Sequence, residues 1–467
     1  MSFNLHLSAK TSKIMLKWFI SLMIPAAILL TPLNGAYTAS IRTFFALSIW
    51  MILAVALELF NSVFIPAFLL PILYYLTGTV PITVAYLSWS NEILYVIIGA
   101  FIMASVLEEV GLLKRIAYWC ILKFGGEFQG IYWGVFAACT IVTFLTFGNA
   151  SIVLATFCYG ICKALNLGRS KASAMIIMSG LVGTMTSRQF IYSPQTVGLI
   201  ETGVRTIFPD FSIPWYQYMF QMLPMLGACF LILFVWAKLF HLKSIKVEGG
   251  KTYCQQEYAK LGKMSLPEKK AAFVLVLLII FLLSAPLHHL SANYGFLILP
   301  ILFFVPGINI APPKTIASVD FAMIFFIASC LAIGTVGTAL GVGQLIASYM
   351  APMMMGVGTS GAMYIMLAFG VVLNFVLTPT AMMATLPAPI TSIAVALGLN
   401  PLALIYPFKI SCDCVFLPYE YVPYLIFYSF GAISMGDFVK FAGIKILLLF
   451  IVMGVFMIPF WTLIGII

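Results

Sequence analysis

The stretch FKISCDCVFLPYEYVPYL, residues 408–425, interrupts a strongly apolar chain with three charged side chains and two prolines. In a bilayer the charged side chains need partners, and each proline removes a backbone donor and breaks the helix. Lys409 and Asp413 are four residues apart, so on one helix they face the same way and are expected to form a structural ion pair. Glu420 lies in the break itself, where it is a candidate to hold a cation, exchange a proton, pair with Arg188 or lock two parts of the protein together.

The composition around this stretch is that of a membrane protein. Of 467 residues, 63% are hydrophobic and 8% are charged, and the mean hydropathy is +1.10. A soluble domain carries about 25% charged residues. Apolar runs of about 20 residues, the length that crosses a bilayer, recur from end to end. The composition therefore predicts an all-α polytopic membrane protein in contact with lipid.

Other classes of protein are disfavoured by the charged and metal-binding residue types. The formal charge is +10, and the basic residues fall in short loops between apolar runs. This distribution is expected for cytoplasmic loops of a membrane protein and does not indicate nucleic-acid binding. The nine cysteines form no C-x-x-C pair and the four histidines form no cluster. We therefore expect no disulfide, no metal centre and no cofactor other than a sodium ion. The sequence offers no nucleophile–base pair, so an enzyme is not expected.

The apolar segments are interpreted as eleven transmembrane helices and two re-entrant hairpins. The hairpins, 131–166 and 360–398, carry the motifs GNAS (148–151) and TPTA (378–381) at mid-depth. Such non-helical backbone is tolerated only where protein or a water-filled cavity surrounds it. The predicted spans are 14–31, 43–59, 62–80, 91–112, 172–208, 213–241, 270–287, 293–309, 319–350, 403–431 and 441–467.

The basic residues support this layout and orient it. With a cytoplasmic N-terminus, the C-terminus is extracytoplasmic, and 20 of the 24 Lys and Arg residues are predicted to lie on the cytoplasmic side. Arg42 and Arg205 would lie outside, and Arg188 and Lys409 within the membrane.

The two halves of the chain look related by an offset of 230 residues. Gly111 precedes GNAS by 37 residues, and Gly341 precedes TPTA by the same number. Five spans in each half, an odd number, would give the halves opposite orientations, and inverted repeats with broken helices are typical of secondary transporters. The predicted division is an N-terminal helix and loop at 1–42, a first repeat at 43–241, a cytoplasmic linker at 242–269 and a second repeat at 270–467.

Four interrupted elements are expected to converge on one site, namely the two hairpin tips and the breaks near 183–196 and 418–424. Helix breaks expose backbone N–H groups that attract anions and carbonyl groups that hold small cations. Arg188 lies in the first break, where it could pair with Glu420. The predicted substrate-binding residues at the tips and breaks are Asn149, Ser151, Thr378, Thr380, Ser193, Pro194 and Pro423.

The sequence resembles the divalent anion/sodium symporter family, whose members carry dicarboxylates, citrate and sulfate. The resemblance runs from about residue 90 to the end and is clearest in NFVLTPTAMMATLPAPI (374–390), ALGLNPLALIYPFKIS (396–411) and FLPYEYVPYLIFYSFGAISMGDF (416–438). It implies a homodimer in which a mobile transport domain moves against a scaffold by an elevator mechanism.

The hairpin tips depart from the Ser-Asn-Thr signature of this family. The tips read Gly148-Asn149-Ala150 and Thr378-Pro379-Thr380, so the resemblance carries over Asn149 and Thr380 as substrate contacts. It also implies two cation sites, at Thr146, Gly148, Asn149 and Gly183 and at Asn374, Leu377, Pro379 and Glu420.

The sequence as a whole predicts a secondary active transporter of an organic dianion, a C4-dicarboxylate or a related carboxylate, in the plasma membrane. Coupling to sodium is expected. One alternative is a proton-coupled carrier in which Glu420 titrates, and another is an exchanger in which Arg188 supplies the positive charge of a bound sodium ion. A third is a cation/proton antiporter of related architecture, in which Glu420, Asp413 and Arg188 carry the ions.

Overall fold

The broken helices of the sequence are visible in the computed structural model, in which every regular element of the described residues is a helix. The structure describes residues 9–57, 59–60, 62, 64–125, 127–146, 148, 150–242, 245, 250–288, 290, 292–317, 319–375 and 377–467. The helices up to the central linker are α1 Ala9–Leu29, α2 Ala39–Ala56, α3 Phe64–Leu76, α4 Ile82–Ala85, α5 Glu92–Glu109, α6 Leu112–Lys123, α7 Phe128–Leu145, α8 Ser151–Ala164, α9 Lys171–Thr184, α10 Leu199–Arg205, α11 Trp215–Gln221, α12 Leu223–Leu239 and α13 Gly250–Lys260.

The remaining helices follow the linker, and several of them are also short segments joined at kinks. They are α14 Leu266–Leu283, α15 Ala285–His288, α16 Ala292–Ile298, α17 Lys314–Ala317, α18 Phe321–Ala339, α19 Val342–Met355, α20 Gly358–Leu373, α21 Pro379–Thr385, α22 Pro387–Ala396, α23 Pro401–Ser411, α24 Val422–Ser429, α25 Met435–Val452 and α26 Ile458–Leu463. Tighter or wider single turns occur at Leu87–Ser90, Thr186–Gln189, Pro194–Gly198, Leu299–Phe304, Pro418–Glu420 and Met453–Met457.

The all-helical membrane fold predicted from composition is confirmed. By length and composition, four continuous helices of the described residues can cross a membrane, or up to seven if each bent pair counts as one span. The bent pairs are α5 with α6 at 68°, α11 with α12 at 51° and α21 with α22 at 53°. The predicted number of eleven spans, the domain boundaries and the elevator motion stay predictions.

The two halves repeat the same order of helices. In each, a long helix ends at a glycine in the left-handed conformation, Gly111 (φ 85°) after α5 and Gly341 (φ 74°) after α18. A further helix then leads into a hairpin and a broken helix, α7 to α10 in the first half and α20 to α24 in the second. Glycine adopts this conformation without the steric cost that other residues meet, and it recurs at the predicted offset of 230 residues.

The first parts of the two broken helices, α9 and α23, form the centre of the protein. Almost every side chain of both helices is buried, as expected for helices that are apolar on all sides. Each begins at a side-chain cap, where Ser170 accepts from the amide of Ser173 and Asn400 accepts from the amide of Leu402. Both breaks therefore open in the protein interior.

The halves interlock across this centre. The second part of the first broken helix, α10, packs on the hairpin helices α21 and α22 of the other half. Reciprocally, the second part of the other broken helix, α24, packs on the hairpin helix α8. Each break thus faces the hairpin tip of the opposite half.

The predicted linker contains the helix α13 and is fixed to the first half. Arg115 donates to both carboxylate oxygens of Glu268, at 2.9 and 3.1 Å, and to the carbonyls of Gly262 and Leu261. The hydrogen bond from Arg115 lowers the pKa of Glu268. This ion pair joins the end of the linker to α6.

Candidate functional site

The first break presents an arginine to the protein interior. Helix α9 ends at Thr184, and the single turn Thr186–Gln189 follows, with Arg188 7% exposed. The tip of the first hairpin lies directly against this arginine. Gly148 has a φ of 92°, and a Cβ added there would lie 2.9 Å from Nε of Arg188. Both the backbone conformation and the available space therefore require glycine at this position.

The Arg188 guanidinium is only partly satisfied by the protein. Its Nη1 donates to the hydroxyl of Tyr421, at 3.0 Å, in the opposite break. Its buried Nε has no hydrogen-bond partner among the described residues. A buried cationic donor without an acceptor is costly, and a guanidinium matches the geometry of a carboxylate. Arg188 therefore has the properties of an anion ligand.

Arg188 lies between two adjoining cavities of about 30 and 220 Å³. Four residues line both cavities: Arg188, Gln195, Thr380 and Tyr421. The larger cavity also touches the start of α8 at Ser151, where backbone N–H groups lack partners within the helix. The shared wall is thus cationic and rich in neutral donors, which is an arrangement that can bind an anion and release it.

In the second break the glutamate binds the backbone of the break itself. Helix α23 ends at Ser411, and both carboxylate oxygens of Glu420 accept backbone N–H groups, from Phe416 and Leu417, at 3.0 Å each. Glu420 therefore caps the turn Pro418–Glu420 and contributes to neither cavity wall. Its predicted pairing with Arg188 is replaced by the contact between Arg188 and Tyr421.

The predicted ion pair between Lys409 and Asp413 is wrong. Asp413 pairs with Lys445 of α25, at 3.6 Å, and accepts from the Tyr424 hydroxyl at 2.9 Å. Helix α23 ends before Asp413, so the four-residue spacing does not place the two side chains on one helical face. Lys445 is fully buried, so this ion pair lies inside the protein.

Lys409 instead binds the first break. Its Nζ donates to the carbonyl of Arg188 at 3.3 Å, to the carbonyl of Gln189 at 3.5 Å and to Oε1 of Gln189 at 3.1 Å. The Tyr218 ring lies 5.3 Å from the same nitrogen. A lysine of the second half therefore fixes the backbone that carries Arg188.

The predicted site residues fall into two groups. Residues at the cavity walls are Gly148, Ser151, Thr378, Pro379, Thr380, Arg188 and Pro423. Residues outside the described walls are Thr146, Gly183, Ser193, Pro194, Asn374, Leu377 and Glu420. Asn149 lies outside the described residues. The assignment of these residues to substrate or cation stays a prediction.

Several of the second group have local roles. The hydroxyl of Thr146 donates to the carbonyl of Val142 at 2.8 Å, and Gly183 packs closely against α7. The amide of Asn374 donates to the carbonyls of Ser411 and Cys414, at 2.7 and 3.3 Å. These contacts stabilise the tips and breaks.

Gln195 and Tyr421 are wall residues that the sequence interpretation did not select. Both lie beside prolines in the motifs SPQT and YEYVP, which already indicated breaks. A rule that counts every polar side chain next to such a break would have found them.

The fold and this buried cationic cavity define a membrane transport protein, not an enzyme. The chain belongs to the citrate transporter family, whose sequence pattern matches residues 44–409. The predicted resemblance to anion transporters is thereby confirmed. No curated protein matches the chain in sequence.

One solved transporter structure shares the fold, and a second is more distant. The YdaH transporter of Alcanivorax borkumensis, which has an unusual topology, is 15% identical with a TM-score of 0.57, over 97% of this chain and 98% of its own. MtrF of Neisseria gonorrhoeae, from a class of antimetabolite efflux pumps, is 12% identical with a TM-score of 0.46, over 97% and 96%. The first of these supports the fold assignment.

Proposed function

We propose that this transporter is a secondary active carrier of an organic carboxylate with at least two negative charges, a C4-dicarboxylate or a related di- or tricarboxylate. The observation that carries the proposal is the buried Arg188 guanidinium, which lies at the walls of both cavities; its Nε, buried against the Gly148 tip, has no hydrogen-bond partner among the described residues. The citrate in the family's description supports a carboxylate substrate.

The composition of the shared wall suits binding followed by release. Arg188 can bind one carboxylate through two parallel N–H groups. Thr380, Gln195 and Tyr421 offer neutral polar groups around it. A wall with one fixed cation and several neutral groups attracts a dianion. Because the dianion forms only one buried ion pair, its release does not require several buried ion pairs to be separated.

The described acidic groups do not favour a cation/proton antiporter. Asp413 is occupied by Lys445 and Tyr424, and Glu420 is occupied by two backbone N–H groups. The cation that such a carrier binds would have to displace these partners. The homodimer, the elevator motion, the plasma-membrane location and the predicted orientation of the termini belong to the same proposal.

Uptake into proteoliposomes tests the substrate and the role of Arg188 together. Labelled succinate and labelled citrate are offered under an inward sodium gradient, an inward proton gradient, or no gradient with unlabelled substrate inside. Arg188→Gln should lower uptake at least about thirtyfold, because truncating a buried charged partner costs about 2–5 kcal/mol.

Arg42→Gln is the matched control, since Arg42 is a half-buried arginine that donates to the Thr31 carbonyl, at 3.2 Å. It should transport like the wild type. Equal uptake by wild type and Arg188→Gln would exclude Arg188 as the carboxylate ligand. The absence of uptake in all three conditions would exclude both carboxylates as substrates.

A further inference from the structure

Side chains donate hydrogen bonds to several backbone carbonyls at the two breaks. Where a helix stops, its last carbonyl groups have no partner within the helix. In secondary transporters such carbonyls commonly hold the coupling cation. The partners of these carbonyls therefore bear on what drives transport.

At the first break a lysine ammonium group occupies the position of a cation. Lys409 Nζ has three oxygen acceptors within 3.5 Å, two carbonyls and one amide oxygen. An ammonium group has three donors and no acceptor, so this set matches it fully. No carboxylate is among its hydrogen-bond partners in the described residues, and the Tyr218 ring adds a cation–π contact.

In the second break, side chains also donate to the exposed carbonyls, but the residues are different. Lys445 donates to the carbonyl of Asp413, and Asn374 donates to the carbonyls of Ser411 and Cys414. In both breaks, side-chain donors fixed to the protein thus bind the carbonyls exposed where the helix stops.

We propose that Lys409 is a tethered cation that takes the place of a coupling sodium ion at the first break and positions Arg188. The proposal rests on the proposed function, since it concerns what drives the same carrier. Because the charge is fixed to the chain, carboxylate transport by the wild type does not require sodium. Lys409 lies at the wall of the smaller cavity, but its hydrogen bonds go to the backbone of the first break and to the Gln189 side chain, so we assign it as a positioning residue that acts through the carbonyl of Arg188.

The test compares sodium chloride with choline chloride at equal ionic strength, on the full-length protein. Thermal unfolding and proteoliposome uptake of labelled succinate and citrate are measured for wild type, Lys409→Ala and Lys409→Met. Lys270→Ala is the control, because Lys270 also donates to a backbone carbonyl, that of Ile308 at 2.8 Å, away from both breaks.

Wild type and Lys270→Ala should unfold and transport equally in the two salts. Lys409→Ala frees three oxygens and leaves space, so sodium should raise its unfolding temperature and restore part of its uptake. Lys409→Met fills the space without a charge. It should lose uptake at least about tenfold, with no response to sodium.

A sodium-specific increase in the uptake or unfolding temperature of the wild type would overturn the proposal. Uptake by Lys409→Met at the level of the wild type would also overturn it. So would a folded Lys409→Ala whose unfolding temperature and uptake are the same in both salts. If Lys409→Ala does not fold, the measurements on the wild type and on Lys409→Met still test the proposal. Absence of carboxylate uptake in the wild type would count against the proposed function alone, since the unfolding measurements test Lys409 without a substrate.

Discussion

The two helix breaks are equivalent in position but opposite in the use of their charges. The first break turns its charged side chain, Arg188, toward the cavities and relies on Lys409 of the other half to bind its backbone. In the second break, Glu420 caps the chain outside both cavity walls, and Asp413, at the wall of the smaller cavity, is paired with Lys445.

This difference separates binding from support. Arg188 lies at the walls of both cavities without an ion-pair partner among the described residues, whereas Asp413 is paired with Lys445. Substitutions in the first break should therefore alter substrate affinity. Substitutions of the charged pair and of Glu420 in the second break should alter stability first.

The largest effect on stability is expected from Lys445→Met. It leaves Asp413 buried without its ion-pair partner, which costs about 3–5 kcal/mol. Unfolding of the detergent-solubilised protein measures the loss, and Lys440→Met, an exposed lysine of the same helix, is the control. The double change with Asp413→Asn should lose less than the sum of the two single changes. Unchanged stability of Lys445→Met would mean that the second break does not depend on this pair.

A smaller but more specific effect is expected from Gly148→Ala. The φ of 92° imposes a cost of about 1–2 kcal/mol on alanine. The new methyl group also displaces Arg188, so the KM of uptake should rise at least about tenfold.

Gly111→Ala separates these two causes, because Gly111 has a φ of 85° and open space at its Cβ. It should lose comparable stability and keep the wild-type KM. A similar KM for both variants would show that the tip of the first hairpin does not position Arg188.

The smallest effect is expected from Glu420→Gln. One side-chain oxygen remains to accept a backbone N–H, so stability should fall by about 1–2 kcal/mol. The pH and salt dependence of uptake should stay as in the wild type, since Glu420 lies outside both cavity walls. A changed pH or sodium dependence of uptake would indicate that Glu420 takes part in coupling, and would contradict the proposed difference between the two breaks.

Much of the fold was predictable because local signals mark it. The prolines and the GNAS and TPTA motifs indicated interruptions, and the glycines 230 residues apart indicated that the two halves are related. Arg188 was placed in the first break for the same reason. Its unpaired Nε depends on the three-dimensional surroundings, which no local pattern contains.

The charge partners were not predictable from spacing. The interpretation of Lys409 and Asp413 assumed that one helix carries both, but α23 stops between them. Lys445 binds Asp413 from 32 residues away, inside the predicted span 441–467. Long-range pairing of this kind follows from the packing of α25 against the break.

Equilibrium binding of citrate and succinate to the purified protein tests the central claim most directly, because it does not depend on a driving ion. Titration calorimetry in sodium-free buffer would compare wild type, Arg188→Gln and the control Arg42→Gln. The account predicts binding of at least one carboxylate to the wild type and the control, and a loss of at least about thirtyfold in affinity for Arg188→Gln. Equal affinity of the wild type and Arg188→Gln would contradict it.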